Sequence, residues 1–462
     1  MSLNSSRRVF LKSSALAGLV FGSAPRSLMR SVYASGAGTN RKTMVVIFQR
    51  GACDGLNTVI PYADPGYAKG RPNIAISAPG GGREGAALDL DGHFGLHPAL
   101  ADLLPLYKDG QLGIVHAIGS PDLTRSHFDA QDFMESGTPG IKSTADGWLN
   151  RCSGSLGKSD SKFRAVALTQ TLPRILRGSS KAVALARLDD FHVREDIEMS
   201  EGRGMAGGRR GRRRDRGDAP PADASPGNAS MIGASPSPAG TPGESSSAFE
   251  KLYADAANDM LGNAGRETFE AIEALKVADP AKYRPREGAS YPRGRLGDSM
   301  KQMAQLIKAD LGVELAFVDV GGWDHHTAEG ASTGQLANLL RQLGGSMAAF
   351  HKDLGARMND VVVMTMTEFG RTVRENGNRG TDHGHGGVSF VLGGPVRGGR
   401  VHGRFPKLSE ENLFEGRDLP VTTDFRDLTG EVLARHMGLT DLKTVFPNYE
   451  IKPSAFPGVL TA

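Results

Sequence analysis

Six short apolar runs, most of them rich in β-branched residues, constrain the fold of this chain more than any other feature. They are TMVVIFQ (43–49), LGIVHAIG (112–119), FRAVALTQ (163–170), VELAFVDVGG (313–322), DVVVMTMTEFG (360–370) and VSFVLGG (388–394). Continuous apolar strands are typical of a parallel sheet that is covered on both faces. Between the runs, apolar residues recur at steps of three and four, as in Leu336, Leu340, Leu343 and Met347, and predict amphipathic helices. This alternation predicts a single α/β sandwich with a mostly parallel central sheet and helices on both faces.

The first 34 residues have the pattern of an export signal. SRRVFLK (6–12) is a twin-arginine motif, an apolar stretch follows at 15–21, and VYA (32–34) offers compact residues to a signal peptidase. The apolar stretch is about half the ~20 residues that a membrane span requires. We therefore expect a cleaved signal peptide (1–34), export by the twin-arginine translocase to the periplasm or the medium, and no stable membrane span.

A low-complexity segment interrupts the α/β pattern between residues 201 and 247. It consists mainly of Gly, Arg, Pro, Ser and Ala and contains RRGRRRDRG at 209–217. Such a composition cannot build a core, so it predicts a disordered insertion that divides one domain into residues 35–200 and 248–462. No aromatic residues are interleaved with the arginines to stack on bases, and the net charge is only +4, so we expect no nucleic-acid partner.

The chain contains two cysteines, Cys53 and Cys152. An oxidising compartment would permit a disulfide between them, but a core of this size does not require one. The sequence leaves this pairing open.

Acidic residues and histidines follow or precede four of the predicted strands. In open parallel sheets, ligands bind at the carboxyl ends of the strands, so these loops are expected to meet at one rim. Mixed carboxylate and imidazole ligands favour Zn, Mn or Fe, whereas a carboxylate-rich set would suit Ca or Mg. The predicted ligands of one or two divalent metal ions are Asp54, Asp324, His326, Glu368, Asp382, His383 and His385.

A fifth segment, SPDLTRSHFDAQDFMESG (120–137), adds candidate catalytic groups. Ser126 is expected near the N-terminus of a helix, either as a nucleophile whose pKa a metal lowers or simply as the N-cap. His127 is the candidate general acid or base. Arg371, with Arg125 and Arg50, either clamps a charged substrate oxygen or is an ordinary surface residue.

Several long motifs resemble the exported bacterial domain-of-unknown-function 1501 (DUF1501) family, in the same order, over about residues 42–458. They are RGACDGLNTVIPYADPGYAKGRPNIAI, FGLHPAL, TRSHFDAQDFMESG, GGWDHH, TEFGRTVRENG, GTDHGHGG and TTDFRD. That family is similar to the alkaline phosphatase–sulfatase superfamily, which includes the cofactor-independent phosphoglycerate mutases. The resemblance implies one α/β sandwich that holds one or two divalent metals beside a Ser, Thr or modified Cys at a helix N-terminus.

The resemblance also implies roles for individual residues. By position, Asp54 resembles the superfamily's first-strand aspartate, and Asp324 with His326 resembles its spaced Asp–His pair. Glu368 takes the place of the superfamily's strand-end Asp-His, and His383 or His385 takes the place of its last histidine. Ser126 is the residue most similar to its nucleophile. Two departures stand out, since Pro121 lies where the sulfatase nucleophile would fall and TEFG replaces the Asp-His-Gly motif. The expected function is metal-dependent hydrolysis of a phosphate or sulfate ester, small or polymeric. The alternative is a non-catalytic metal- or glycan-binding protein outside the cytoplasm.

Overall fold

The computed structural model describes residues 41–80, 84–188 and 282–461, together with Leu275. All of them belong to one compact unit of the chain, Met1–Phe191 with Ala271–Ala462. The predicted signal peptide (1–34) and the predicted insertion (201–247) lie outside the described residues. Both therefore stay predictions, as does the division of the domain around the insertion.

The described strands form a nine-stranded sheet and a small three-stranded one. The large sheet has the order β11-β5-β10-β9-β1-β8-β6-β7, with β12 also paired to β5, and the small one has the order β2-β4-β3. The strands are β1 (Thr43–Gln49), β2 (Val59–Ile60), β3 (Leu88–Asp89), β4 (Gly95–Leu96), β5 (Leu112–Gly119), β6 (Ala165–Ala167), β7 (Val183–Ala184), β8 (Leu315–Val320), β9 (Val361–Met366), β10 (Gly387–Gly393), β11 (Val401–His402) and β12 (Thr423–Asp424).

Within the large sheet, β10 alone among the described strands runs against its neighbours. It pairs antiparallel with both β5 and β9, whereas the other pairs are parallel. The predicted α/β architecture with a mostly parallel sheet is therefore confirmed. Because β10 is reversed, it begins at the edge where the parallel strands end, and the loop before it reaches the same rim as the loops that follow β1, β5, β8 and β9.

Helices cover the sheet on both faces. They are α1 (Gly55–Thr58), α2 (Pro65–Gly70), α3 (Leu104–Lys108), α4 (His127–Ser136), α5 (Trp148–Ser155), α6 (Arg295–Lys308), α7 (Gln335–Leu354), α8 (Phe425–Arg435) and α9 (Leu442–Val445). Short 3-10 turns lie at Pro98–Leu103, Arg174–Leu176, Gly355–Asp360, Glu410–Asn412 and Pro453–Ala455.

The burial of β1 explains why its sequence is apolar at every position. Val45 and Ile47 point into a core shared with α6 and α7, while Met44, Val46 and Phe48 point into a second core shared with α5 and α8. All five side chains are fully buried. At about 25 cal/mol for each Å² of apolar surface removed from water, such two-sided burial is the main force that holds the sheet at the centre.

The two cysteines lie in these different cores. Cys53 packs in the core with α6 and α7, Cys152 packs in the core with α5 and α8, and both are free. Burial raises the pKa of the Cys53 thiol to about 12, so it is unreactive as a thiolate. Within the described ranges, no helix combines the length and apolar composition needed to cross a bilayer.

Candidate metal centre

Three segments at the carboxyl rim of the sheet bring imidazoles and carboxylates together. The first turn of α4 carries His127, the loop after β8 carries Asp324 and His326, and the connection from β9 to β10 carries His383. Ligand atoms of His127, Asp324 and His383 all lie within 4.8 Å of one another. His326 joins them, since its Nε2 lies 3.0 Å from Asp324 Oδ1 and 2.9 Å from His383 Nε2.

The Nδ1 atoms of two of these rings face carboxylates. His127 Nδ1 lies 2.8 Å from Glu368 Oε1, and His326 Nδ1 lies 3.0 Å from Asp382 Oδ1. Because an ionised carboxylate can only accept, each Nδ1 carries the proton and donates. The Nε2 lone pair of each neutral ring is then directed to the common centre, as in carboxylate–histidine–metal arrangements.

The third ring, His383, is oriented by a backbone carbonyl. Its Nδ1 donates to Arg125 O at 2.8 Å, which likewise leaves Nε2 unprotonated in the neutral ring. The facing Nε2 atoms of His383 and His326 are then 2.9 Å apart with a lone pair on each. The contact therefore requires a cation beside both nitrogen atoms or a proton on one of them.

A buried unpartnered nitrogen is the second sign that the cluster suits a cation. His127 Nε2 has no hydrogen-bond partner, although Asp324 Oδ2 lies 3.4 Å away. Buried polar atoms are seldom left unpaired, because their desolvation costs about 1–3 kcal/mol. Three imidazole nitrogens and one carboxylate fit Zn, Mn or Fe better than Ca or Mg, which prefer oxygen ligands.

Arg371 positions the carboxylate of the cluster and is not a surface residue. It is 2% exposed and donates to the backbone carbonyls of Ala52 (2.7 Å), Thr381 (2.9 Å) and Trp323 (3.2 Å), and to Asp324 Oδ1 (2.6 Å). Burial would raise the pKa of Asp324, but the Arg371 guanidinium outweighs it and lowers that pKa to about 2. Because its N–H groups donate to these acceptors, Arg371 has no free pair of donors for a substrate oxygen. The substrate-clamping role expected from the sequence is therefore not supported.

Glu368 also supports the cluster rather than joining it. The residue is completely buried, and its Oε1 accepts from Gly51 N (2.8 Å), His127 Nδ1 (2.8 Å) and Gln131 Nε2 (2.9 Å). Burial alone would raise the pKa of Glu368, but these donors together lower it, so the carboxylate is ionised. The hydrogen bond between His127 Nδ1 and Glu368 also raises the pKa of His127.

Asp54 is not brought to the cluster, because a buried arginine holds it. Asp54 is 2% exposed, and Arg71, which is fully buried, donates from Nη2 to its Oδ1 at 3.0 Å and from Nη1 to its Oδ2. Asp54 also caps α1 by accepting from Leu56 N at 3.2 Å. Burial opposes ionisation of Asp54, but the charge of Arg71 lowers its pKa below the usual value.

His385 lies away from the cluster, whereas Ser126 takes one of the two roles expected for it. The His385 ring stacks on Phe414 with centroids 4.8 Å apart and lies outside the group of converging ligand atoms. Ser126 is the N-cap of α4, with Oγ accepting from Asp129 N at 3.5 Å, so the N-cap interpretation is confirmed. Its hydroxyl is exposed beside His127, and a nucleophilic role stays a prediction.

Gly384 of the motif TDHGHGG and Gly51, which follows β1, allow close backbone packing. A Cβ on Gly384 would lie 2.3 Å from the carbonyl carbon of Arg371, and one on Gly51 would lie 2.7 Å from Asp324 N. Gly51 also has φ 117°, which side-chain-bearing residues rarely adopt. Glycine at these positions lets the loops approach closely enough for their ligand atoms to meet.

Residues that support the cluster from further away were missed by the sequence analysis. Asp418 is fully buried and accepts from Arg125 Nη2 and Arg417 Nε, both at 2.9 Å, and Arg417 Nη2 in turn donates to His383 O at 2.7 Å. Asp418 therefore holds both segments that fix His383, and no local pattern marks it. Gln131 was detectable, since it lies four residues after His127 on the same helix face.

Comparison with known proteins supports the family resemblance in part. Residues 246–447 match the family described as "Protein of unknown function (DUF1501)", which confirms that resemblance over this segment. No curated protein matches the sequence. Among solved structures, the chain is similar to the PsFucS1 sulfatase from Pseudoalteromonas sp., with 12% identity, a TM-score of 0.35, and coverage of 90% of this chain and 71% of that one. So distant a likeness specifies no activity.

Proposed function

We propose that this protein is an exported, metal-dependent hydrolase that acts on phosphate or sulfate esters. The observation that carries the proposal is the convergence of three oriented imidazoles on Asp324, with one Nε2 unpartnered and two others in contact. The Asp324 and His326 side chains are 44% and 41% exposed, so the cluster is open to a ligand from solvent. The proposed ligands are His127, Asp324, His326 and His383.

The charges around the cluster explain why an anionic ester would need a metal there. Asp324, Asp382 and Glu368 contribute three negative charges against one positive charge from Arg371, which leaves an excess of two negative charges when the histidines are neutral. The nearby Arg125 is already paired with Glu415 and Asp418 and adds no free positive charge. A divalent ion would polarise the ester oxygen and lower the pKa of the attacking hydroxyl or water.

The chain's own side chains would provide the remaining functions. His127, His326 and His383 present lone pairs fixed by their Nδ1 hydrogen bonds, so little reorganisation is needed on binding. In the chain, Ser126 lies between Arg125, whose carbonyl holds His383, and His127. Ser126 is therefore the proposed nucleophile, and its long hydrogen bond to Asp129 N leaves the oxygen weakly engaged.

A second function, non-catalytic binding of a metal or glycan, is favoured by the state of the arginines. Arg371 is consumed by backbone carbonyls, and Arg125 is consumed by acidic side chains. Without a free guanidinium to balance charge that develops in a transition state, the cluster would bind a ligand without accelerating its hydrolysis.

The experiment that tests both functions combines metal analysis with a hydrolysis assay. The mature protein, His383→Ala and the control His385→Ala would be purified without added metal, analysed for bound metal and assayed with 4-nitrophenyl phosphate and 4-nitrophenyl sulfate. We expect bound metal and turnover in the wild type and in His385→Ala, with both lost in His383→Ala, and turnover alone lost in Ser126→Ala. Bound metal without turnover of either ester would favour the binding protein. A folded, metal-free wild type would refute the metal-dependent hydrolase and leave a glycan-binding protein as the better account.

A further inference from the structure

We infer that the centre holds a single metal ion and that Glu368 is a positioning residue for His127, not a ligand of a second metal. This inference rests on the metal centre of the proposed function and adds the number of ions and the role of the buried acid Glu368. The resemblance stated from the sequence allows one or two ions, and it places Glu368 where a metal-binding motif would fall. The contacts of the described residues distinguish the two cases.

The Glu368 carboxylate is already engaged by hydrogen-bond donors. Its Oε1 accepts three hydrogen bonds, from Gly51 N, His127 Nδ1 and Gln131 Nε2, at 2.8–2.9 Å. Its Oε2 lies 3.3 Å from Thr367 Oγ1, and the side chain has no solvent exposure. With Oε1 engaged by three donors and Oε2 buried beside Thr367, the carboxylate holds the His127 ring with Nε2 towards Asp324.

A second ion would lack ligands among the described residues. Within the described residues, only one group of three or more metal-binding side chains has converging ligand atoms, and it is His127, Asp324 and His383. Asp54, which could have contributed to a second site, is held on both oxygens by Arg71. Asp382 accepts from His326 and Asn376, so it too orients a ring of the first site.

Hydrogen bonds from two other elements of the fold hold the Glu368 carboxylate in place. Gly51 follows β1, Gln131 lies one turn after His127 on α4, and Glu368 follows β9. These three elements therefore meet at one carboxylate, and its hydrogen bonds set the direction of His127 relative to the loop after β8. Loss of such a partner behind a metal-binding histidine typically weakens metal affinity 10–100-fold.

The test compares Glu368→Gln and Glu368→Ala with wild type by metal titration and by the visible spectrum of the cobalt(II)-loaded protein. Gln retains an acceptor for His127 Nδ1, so we expect one ion per chain in all three proteins, with affinity falling in the order wild type, Gln, Ala and by about 10–100-fold overall. The cobalt spectrum should shift with each substitution, because the ring direction changes. Glu431→Gln, at a fully buried glutamate that holds the C-terminal backbone, is the matched control and should leave affinity and spectrum unchanged.

The outcomes are distinguishable from failure of the proposed function. Two ions per wild-type chain and one in Glu368→Ala, with unchanged affinity for the remaining ion, would overturn the inference and leave a metal-dependent hydrolase. An unchanged affinity and spectrum in both Glu368 variants would also overturn it. A wild type that binds no ion would refute the proposed function, and the inference with it. If Glu368→Ala does not fold, as shown by its circular dichroism, Glu368→Gln still decides the outcome.

Discussion

The buried ion pair between Arg71 and Asp54 allows a strong test of how the connection that carries His383 is anchored. Replacement of Arg71 by Met would keep most of the side-chain volume but leave the Asp54 carboxylate buried without a counter-charge. It would also remove the donors to Val373 O (3.0 Å) and Thr372 O (2.9 Å), both in the connection that carries His383. Removing one partner of a buried pair typically costs about 3–5 kcal/mol of the free energy of unfolding.

The pH dependence of that loss follows from the two carboxyl groups. In the wild type, Arg71 lowers the pKa of Asp54, and this stabilises the fold above the pKa that Asp54 has when unfolded. Without Arg71, the burial of Asp54 would raise its pKa, opposed by the hydrogen bond from Glu329 and the charge of Arg371. A carboxyl with a raised pKa loses its contribution as the pH rises, so Arg71→Met should cost more at about pH 8 than at about pH 5, by up to about 1.4 kcal/mol per pH unit for one proton.

Urea unfolding of the metal-free protein, followed by tryptophan fluorescence, would measure this loss. Trp148 and Trp323 are both fully buried, so the signal should report global unfolding. Arg357→Met is the matched control, because its pair with Asp310 is 45% and 58% exposed and should contribute less than about 1 kcal/mol. The reasoning would be refuted if Arg71→Met cost no more than Arg357→Met, or if its cost were the same at both pH values.

Two further predictions concern the neighbouring acid and the export signal. Burial and the charge of Asp54 raise the pKa of Glu329 well above its usual value, so its contribution to stability is lost as the pH rises. Glu329→Gln can still accept from Thr381 Oγ1 (2.9 Å) and should remove this alkaline decline in Tm, whereas an equal decline in the variant would show that another group causes it. For the signal, replacement of Arg7 and Arg8 by Lys should retain the precursor in the cytoplasm on cell fractionation, and normal export of that variant would exclude the twin-arginine route.

The sequence was most informative where burial is two-sided. The runs predicted at 43–49 and 112–119 form β1 and β5 with the same bounds, because every residue in them is buried. The run at 163–170 yields only Ala165–Ala167 as a strand. This strand pairs with the short β7 at the edge of the sheet, and apolar composition alone does not indicate the length of the neighbouring strand.

The candidate site was predictable as a place but not as a set of ligands. Strand ends and Gly-rich loops located the rim, and Asp324, His326 and His383 do meet there. Whether an acidic residue binds an ion or orients a ring depends on distances of about 3 Å between segments far apart in the chain, which spacing does not encode. Arg71 forms an ion pair with Asp54, and Phe414 stacks on His385. Both partners come from other segments of the chain.

The position of β1 in the sheet has a consequence for how the chain acquires its structure during synthesis. β1 is made early, but its two neighbours are β8 and β9, with Met44 beside Leu315 and Val45 beside Val363. The central strand therefore has no partner until about 270 further residues have been translated, since the contact between Thr43 and Val313 spans 270 residues. Pairing over such distances is slow, and an apolar β1 left unpaired is prone to aggregate. We expect the nascent chain to depend on holding factors until its last third has left the ribosome.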